Sequence, residues 1–284
     1  MSGKWGNIFC RAVAALALLW AGSAVAEGPP LVVGVDGTFA PHAMPKLGGG
    51  VEGFNVDMAE EIGRRLGRPV QVISQEFSGL IPGLNAKKYD FIAAPTTVTV
   101  ERSKAMLFTE GYLDTDFQFV IKKGSPDITK LEDLKGKVIA VNKGSAYDSW
   151  ARDNQAKYGF EFESYGTNPD AIQAVLAGRA YANLAGNTAV AYAASKNPML
   201  QLSYTIKTGL VWSIPFRKDD VEMRNKVEEV VECMKLDGTF VKLHEKWFGI
   251  KPAPGSATTT VSVGYGVPGF EGAQPEAFHV PQCK

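Results

Sequence analysis

The residues best suited to chemistry lie at 93–102, where an arginine follows several hydroxyl side chains. The run before them, residues 89–92, is short and mostly apolar, which predicts a buried strand. Thr99 is a typical helix N-cap residue, and Arg102 follows in the first turn. Free backbone N–H groups at a helix start and the planar fork of a guanidinium both suit a carboxylate. The stretch therefore indicates an anion site, with a solvent-exposed arginine as the alternative.

Alternating strands and helices precede this stretch and must position it. Residues 31–35 and 70–73 read as buried strands, whereas 54–66 has the periodicity of an amphipathic helix. A second helix is expected at 78–86, before the strand that leads to Arg102. The order strand, helix, strand, helix, strand predicts a parallel sheet with right-handed crossovers.

The alternation continues through the second half of the chain. Strands are predicted at 117–121, 138–142, 160–164 and 182–185, helices at 131–134, 146–158, 170–177, 188–196, 221–236 and 238–247, and an extended run at 210–216. Beyond Pro252 the chain is rich in Gly, Pro, Ser and Thr without periodicity. That composition predicts a tail over the surface rather than a further domain.

Three polar segments follow predicted strands, at residues 36–39, 96–102 and 144–147. Open parallel sheets bind ligands beyond the carboxyl ends of their strands. We therefore expect the three segments to meet at one site, which favours ligand binding over a surface role for Arg102.

The composition is that of a globular protein, with 45% hydrophobic and 21% charged residues in a chain of 284. This length suffices for one large domain or two lobes with their own cores. The formal charge of +0 excludes a broad basic surface for nucleic acid. The sequence has no phosphate loop, paired-histidine helix or dinucleotide fingerprint, so neither a cofactor nor a metal is expected.

The first 26 residues have the pattern of a signal peptide. Lys4 and Arg11 precede an apolar run at 12–21 that is too short to span a membrane, and residues 24–26 are small-x-small. We expect cleavage after Ala26 and an exported mature protein. The alternative is a buried N-terminal helix.

Two cysteines, Cys233 and Cys283, remain after that cleavage. In an oxidising compartment an even pair predicts a disulfide, which would tie the tail to the helix at 221–236. Two unpaired thiols are the alternative.

Short motifs spread over almost the whole mature chain carry a resemblance to a known family. They are Gly-Val-Asp-x-Thr-Phe-x-Pro at 34–41, Gly-Phe-x-Val-Asp at 53–57, Leu-Ile-Pro-Gly-Leu at 80–84, Lys-Lys-Tyr-Asp at 87–90, Thr-x-Glu-Arg at 99–102, Phe-Thr at 108–109, Leu-x-Asp-Leu-x-Gly-Lys at 131–137, Asp-Gly-Thr-Phe at 237–240 and Lys-Trp-Phe-Gly at 246–249. In this order they resemble the bacterial extracellular solute-binding proteins of family 3, the periplasmic receptors of polar amino-acid ABC transporters.

The resemblance implies an α/β, two-lobed periplasmic binding protein fold of type II. Two crossover hinge strands would join the lobes, and the ligand cleft would lie between them. It places lobe 1 at 31–113 and 212–250, lobe 2 at 114–211, and a C-terminal tail at 251–284. The hinges fall near residues 113–115 and 209–212.

The resemblance also implies a site for the ligand α-carboxylate. Arg102 falls on the arginine that grips this carboxylate, with Thr97 beside it, and Pro95 stands where small hydroxyl residues are common. Ser145 and Ala146, at the start of a lobe 2 helix, fall where backbone and hydroxyl donors complete the site.

Other implied ligand contacts surround the ligand side chain. Phe39 and Phe77 fall on the two walls that sandwich it. Asp36 matches an acid that reaches ligand side chains in members that take basic amino acids.

The resemblance fails at the position that usually pairs with the ligand α-ammonium. The acid expected there is Gly186 in this chain, followed by Asn187. A buried ammonium without a counter-ion costs several kcal/mol. Two ligand classes stay open: a carboxylate with a blocked, neutral or absent amine, and an ordinary amino acid whose ammonium meets Asp36, Asn187 and carbonyl groups.

Three functions follow from these features. The first is a monomeric periplasmic receptor that closes on a small carboxylated molecule and delivers it to an inner-membrane ABC permease, with no catalysis and no nucleic acid. The second is an accessory or sensory protein that keeps the fold without transport. The third is an enzyme resembling cyclohexadienyl dehydratase, which would need a general acid or base where Gly186 stands.

Overall fold

A computed structural model describes residues 28–283 of the chain. The predicted signal peptide at 1–26 and its cleavage after Ala26 lie outside these residues. No helix within 28–283 combines the length and the apolar character needed to cross a membrane.

The first part of the chain builds a three-stranded parallel sheet with the order β4-β1-β5. Its elements are β1 (Leu31–Val35), β2 (Met44–Pro45), β3 (Val51–Glu52), α1 (Phe54–Arg65), β4 (Val70–Ser74), α2 (Phe77–Asn85), β5 (Phe91–Ile92), β6 (Thr96–Thr97), α3 (Val100–Ala105) and β7 (Met106–Phe108). The side chains of Leu31, Val33 and Val35, which point to one face of β1, are fully buried, whereas Val32 on the opposite face is half-buried. The predicted parallel sheet is confirmed.

The second part builds a six-stranded sheet with the order β10-β9-β11-β8-β12-β6. Its elements are β8 (Leu113–Lys122), a short 3-10 helix (Leu131–Leu134), β9 (Val138–Asn142), α4 (Ala146–Tyr158), β10 (Glu161–Tyr165), α5 (Asn168–Leu176), β11 (Ala182–Gly186), α6 (Asn187–Lys196) and β12 (Leu200–Ser213). Strands β9, β10 and β11 are parallel, whereas β8 and β12 run antiparallel to their neighbours. The chain then returns to the first part through β13 (Pro215–Arg217), which pairs antiparallel with β7, and ends in α7 (Val221–Leu236) and α8 (Thr239–Phe248).

Strands β8 and β12 are the two crossovers of a two-lobed α/β fold. They pair with each other, and β12 also pairs with β6, where Trp212 lies opposite Thr97. β12 begins at Leu200, well before the extended run predicted at 210–216. The early half was missed although residues 200–207 alternate between apolar and polar types, which is typical of a half-buried strand. Two register shifts interrupt its pairing with β8.

The tail after residue 250 contains no helix or strand up to residue 283, apart from an isolated bridge between Tyr265 and Gln274. The predicted disulfide between Cys233 and Cys283 is confirmed, and it closes a loop with a sequence separation of 50. The tail is therefore tied covalently to α7.

Candidate ligand site between the lobes

The three polar segments predicted to meet do line one small cavity between the lobes. The lining residues are Asp36, Phe39, Phe77, Pro95, Thr97, Arg102, Asn142, Ser145, Ala146 and Tyr147. Eight of these ten side chains are candidates from the sequence. Gly186 and Asn187 are not among the lining residues: Gly186 ends β11, and Asn187 lines a separate groove beside α6 and α8.

Arg102 reaches the cavity from the first turn of α3. The predicted cap is confirmed, because the Thr99 hydroxyl accepts a hydrogen bond from the Arg102 backbone N–H at 3.2 Å. The guanidinium donates to the backbone oxygen of Thr97 at 2.9 Å and to that of Gly144 at 3.1 Å. Its Cζ atom lies 5.6 Å from the centre of the Phe77 ring. One arginine side chain therefore connects β6 with the start of α4.

Arg102 has no acidic partner among residues 28–283, since its acceptors there are the two backbone carbonyl groups. Burial lowers the pKa of Arg102 to about 10, and the Tyr147 phenol opposes that shift. The guanidinium is still charged at neutral pH, and its remaining N–H groups have no acceptor in the described chain. A half-buried cation without an acidic partner favours the entry of an anion.

Two hydroxyl groups flank Arg102. Thr97 Oγ1 accepts from the indole N–H of Trp212 at 3.1 Å, and Ser145 Oγ caps α4 by accepting from the Asp148 N–H at 3.2 Å. Each oxygen thus receives a hydrogen bond, while its own hydrogen has no acceptor within residues 28–283. Both groups can donate to an anion beside the guanidinium.

Asp36 is the one carboxylate among the lining residues, and it is 2% exposed. Its Oδ1 accepts from the backbone N–H and the hydroxyl of Thr38, at 3.0 and 2.6 Å. Its Oδ2 lies 3.5 Å from the Asn142 amide nitrogen, across the cleft. Burial raises the pKa of Asp36, although Thr38 and Asn142 oppose the shift. Oδ2 keeps acceptor capacity for a donor group at this end of the cavity.

The apolar part of the cavity comes from Phe39, Phe77 and Pro95. The Phe39 ring stacks on His42 at 5.6 Å and meets the edge of Trp212 at 6.5 Å. His42 and Trp212 do not line the cavity, so these contacts support the Phe39 ring on the side away from the ligand space.

Sequence reasoning missed three side chains at or behind the cavity. Asn142 ends β9 and Tyr147 lies in the first turn of α4, and both line the cavity. Trp212 is fully buried and supports Thr97 from β12. Of the three, Asn142 had the clearest signal in the sequence, because it is a polar residue at the end of a predicted strand, directly before the segment at 144–147.

The lobes also touch away from the cavity. His42 is fully buried, with Nδ1 2.9 Å from Asn55 Oδ1 and Nε2 2.8 Å from Thr188 Oγ1 at the start of α6. Burial lowers the pKa of His42 to about 3, so the ring is neutral. This contact and the Arg102 to Gly144 bond hold the lobes close together.

No group of three or more His, Cys, Asp or Glu side chains within residues 28–283 has an arrangement that could hold a metal ion.

Comparison with known proteins agrees with this architecture. Residues 31–250 match the family of bacterial extracellular solute-binding proteins, family 3. The L-cystine-binding protein TcyJ of Escherichia coli (strain K12) is 29% identical over 227 residues, which cover 79% of this chain and 85% of that protein.

Two solved structures have a similar fold. An ancestral arginine-binding protein bound to arginine aligns with a TM-score of 0.75 and 32% identity, over 79% of this chain and 100% of that chain. The ancestral amino acid-binding protein AncCDT-1, a precursor of cyclohexadienyl dehydratase, aligns with a TM-score of 0.72 and 30% identity, over 77% of this chain and 95% of that chain.

Proposed function

The chain belongs to the bacterial extracellular solute-binding proteins of family 3, and from that premise we propose that it captures a small carboxylated molecule at Arg102. Closure of the lobes around β8 and β12 would trap the ligand, and the closed form would deliver it to an ABC permease in the inner membrane. The protein would act as a monomer in the periplasm, after cleavage of the signal peptide behind Ala26.

The carboxylate assignment depends mainly on the state of Arg102. This cation is enclosed in the cleft with two carbonyl oxygens and no acid from residues 28–283 as partners. Thr97 and Ser145 add hydroxyl donors on either side of it. A carboxylate there would satisfy the guanidinium bidentately and accept from both hydroxyl groups.

We propose the lobe limits on the same basis, with 31–113 and 212–250 in lobe 1, 114–211 in lobe 2, and 251–284 as the tail. Both limits fall within the crossover strands β8 and β12. Phe39 and Phe77 would enclose the ligand side chain, and Asp36 with Asn142 would meet its far end. Pro95 and Ala146 would contribute shape rather than polar contacts.

Binding without catalysis is favoured over an enzymatic function. Asp36 is the single carboxylate that lines the cavity, and a dehydratase needs a positioned acid or base next to the reacting carbon. The similarity to a precursor of cyclohexadienyl dehydratase concerns a protein that is itself described as amino acid-binding.

A ligand screen tests the proposal directly. The protein would be stripped of co-purified ligand by unfolding and refolding, then screened by thermal shift against amino acids, other small carboxylates and their uncharged amides. We expect at least one carboxylate to raise the melting temperature and its amide to have no effect, because RT ln(1 + [L]/Kd) is gained only where binding occurs. An amide that stabilises as well as its parent acid would refute the role of Arg102.

A further inference from the structure

The space beside Gly186 is filled by two aromatic side chains. A Cβ atom added at position 186 would lie 2.5 and 2.6 Å from Cζ2 and Cη2 of Trp212, and 2.8 Å from the Tyr147 hydroxyl oxygen. These separations are below any real Cβ contact, so no side chain fits here without displacement of the aromatic pair. The acidic side chain that the resemblance expects at position 186 therefore does not fit, because the indole of Trp212 and the phenol of Tyr147 occupy that space.

Trp212 is held firmly in that position. It is fully buried, its indole nitrogen donates to Thr97 Oγ1 at 3.1 Å, and its ring lies 4.8 Å from His42 and 6.5 Å from Phe39. Its backbone also pairs with Thr97 in the sheet. The wall behind the cavity is thus fixed by hydrogen bonds and close packing.

The Tyr147 phenol is buried in the lining of the cavity. Tyr147 is 4% exposed, and its ring packs edge-on against Phe117 at 4.9 Å. Burial raises the pKa of Tyr147 strongly, while the positive charge of Arg102 opposes that shift, and the phenol is therefore neutral. The Tyr147 hydroxyl lines the cavity together with Arg102 and makes no hydrogen bond within residues 28–283, since the Trp212 indole N–H donates to Thr97.

A ligand group next to the carboxylate must match this hydroxyl. The Tyr147 hydroxyl can donate or accept, so an α-ammonium could donate to its oxygen, but this second positive charge beside Arg102 would have no acid at position 186 to balance it. An oxygen on the α-carbon adds no positive charge and accepts a hydrogen bond from the Tyr147 hydroxyl.

We propose that the cavity is selective for carboxylates that carry an oxygen on the α-carbon, such as 2-oxo and 2-hydroxy acids, and that Tyr147 donates to that oxygen. The inference depends on the proposed function, because it requires the carboxylate to lie at Arg102. Trp212 and Tyr147 then determine which group on the α-carbon is bound, because they fill the space that an acidic side chain at position 186 would need.

Matched ligand sets test this selectivity by calorimetry on the stripped protein. Each set shares one side chain: phenylalanine, phenylpyruvate and phenyllactate; glutamate, 2-oxoglutarate and 2-hydroxyglutarate; arginine and its 2-oxo and 2-hydroxy analogues. In the set that binds most tightly, we expect an oxygen-bearing member to bind at least about tenfold more tightly than the amino acid.

Two variants of α4 then distinguish a change in ligand specificity from a general effect on folding. Tyr147→Phe should lower the affinity for the oxygen-bearing ligand by about tenfold and leave that for the amino acid within about twofold, since one hydrogen bond is lost. Tyr158→Phe, at the end of the same helix and outside the cavity lining, should change neither affinity. Equal melting temperatures of the two variants would show that both fold.

The outcomes distinguish this inference from the proposed function. A preference for the amino acid that is lost in Arg102→Met would overturn the oxygen selectivity and leave the carboxylate site intact. Unchanged affinity of Tyr147→Phe for the oxygen-bearing ligand would overturn the role of Tyr147. Binding that is insensitive to Arg102→Met would instead refute the proposed function, and the inference with it.

Discussion

Two regions of this protein bury charged side chains, and they do so in opposite ways. In the cavity, Arg102 has only backbone oxygens as partners, and Asp36 keeps an oxygen with acceptor capacity. Beneath the tail lies a cluster in which the charged groups meet one another, here called the tail network. Its members are Glu110, Arg224, Glu228, Glu232, Lys235 and His279.

The tail network combines ion pairs with backbone hydrogen bonds from the tail. Lys235 lies 2.7 Å from Glu110, and His279 lies 2.8 Å from Glu232. The backbone N–H groups of Ser262 and Gly266, both in the tail, donate to Glu110 and Glu228 at 2.6 Å each. The tail therefore packs over α7 and covers charges that would otherwise face water.

The comparison separates stability from function. Buried charges that are paired within the chain hold a structure together, whereas a half-buried cation without an acid is available to an external anion. Removing a charge should therefore have opposite consequences in the two regions: the tail network should lose stability, and the cavity should lose affinity. Binding sites commonly contain groups that are not arranged for maximum stability of the fold.

The largest effect is expected in the tail network. Lys235→Met removes the partner of the buried Glu110 and should lower the free energy of unfolding by about 3–5 kcal/mol, because an uncompensated carboxylate remains. Lys226→Met is the matched control on α7: its pair with Glu222 is exposed to water, so its loss should have a much smaller effect. Urea denaturation measures both. Equal effects would contradict the difference in burial.

The disulfide that ties the tail should rank next. Cys283→Ser opens a loop with a sequence separation of 50 and should lower the free energy of unfolding by about 4 kcal/mol, mainly through the entropy of the unfolded chain. Calorimetry should find ligand affinity unchanged, since the cavity lining contains no residue after Tyr147. A loss of affinity would mean that the tail and the cavity are coupled.

Arg102→Met should show the reverse pattern. We expect ligand affinity to fall by about 2–4 kcal/mol, as for a buried charge-assisted pair, while the free energy of unfolding without ligand changes by about 1 kcal/mol or less. Arg64→Met is a suitable control, because this arginine is exposed and pairs with Glu61 on α1. Unchanged affinity in Arg102→Met would refute the anchor.

The smallest effect concerns pH. Burial raises the pKa of Glu232 from 4.5 to about 7, although His279 opposes the shift, and the folded chain therefore binds a proton more tightly than the unfolded chain. This contribution to stability is complete below about pH 4.5 and is lost as the pH rises through about 7. Wild type should thus lose stability relative to Glu232→Gln between pH 5 and pH 8.

The exposed Glu222 provides the control for that pH dependence. Its pKa is lowered by Lys226, so both its folded and its unfolded forms are ionised throughout this range. Glu222→Gln should then keep a constant difference from wild type in thermal melts. A constant difference for Glu232→Gln as well would mean that Glu232 is not shifted.

Local patterns in the sequence predicted most elements of the fold. The strand at Val138–Asn142 and the helix at Val221–Leu236 have the predicted limits, because each has a continuous apolar or periodic pattern between clear turns. The first half of β12 was missed although its alternating apolar and polar residues predict a half-exposed strand. Its partner strand β8 and its register could not be read from that local pattern, because they depend on residues far away in the chain.

The cap at Thr99 and the pairing of Cys233 with Cys283 were predicted from the sequence, the first from the residue type at a helix start and the second from an even number of cysteines in an exported chain, and the structure confirms both. The sequence also placed three polar segments at strand ends, and these line the cavity. Only the tertiary structure decided that Trp212 and Tyr147 fill the space beside Gly186. Those residues come from β12, α4 and β11, and the volume that a side chain occupies depends on elements far apart in the chain.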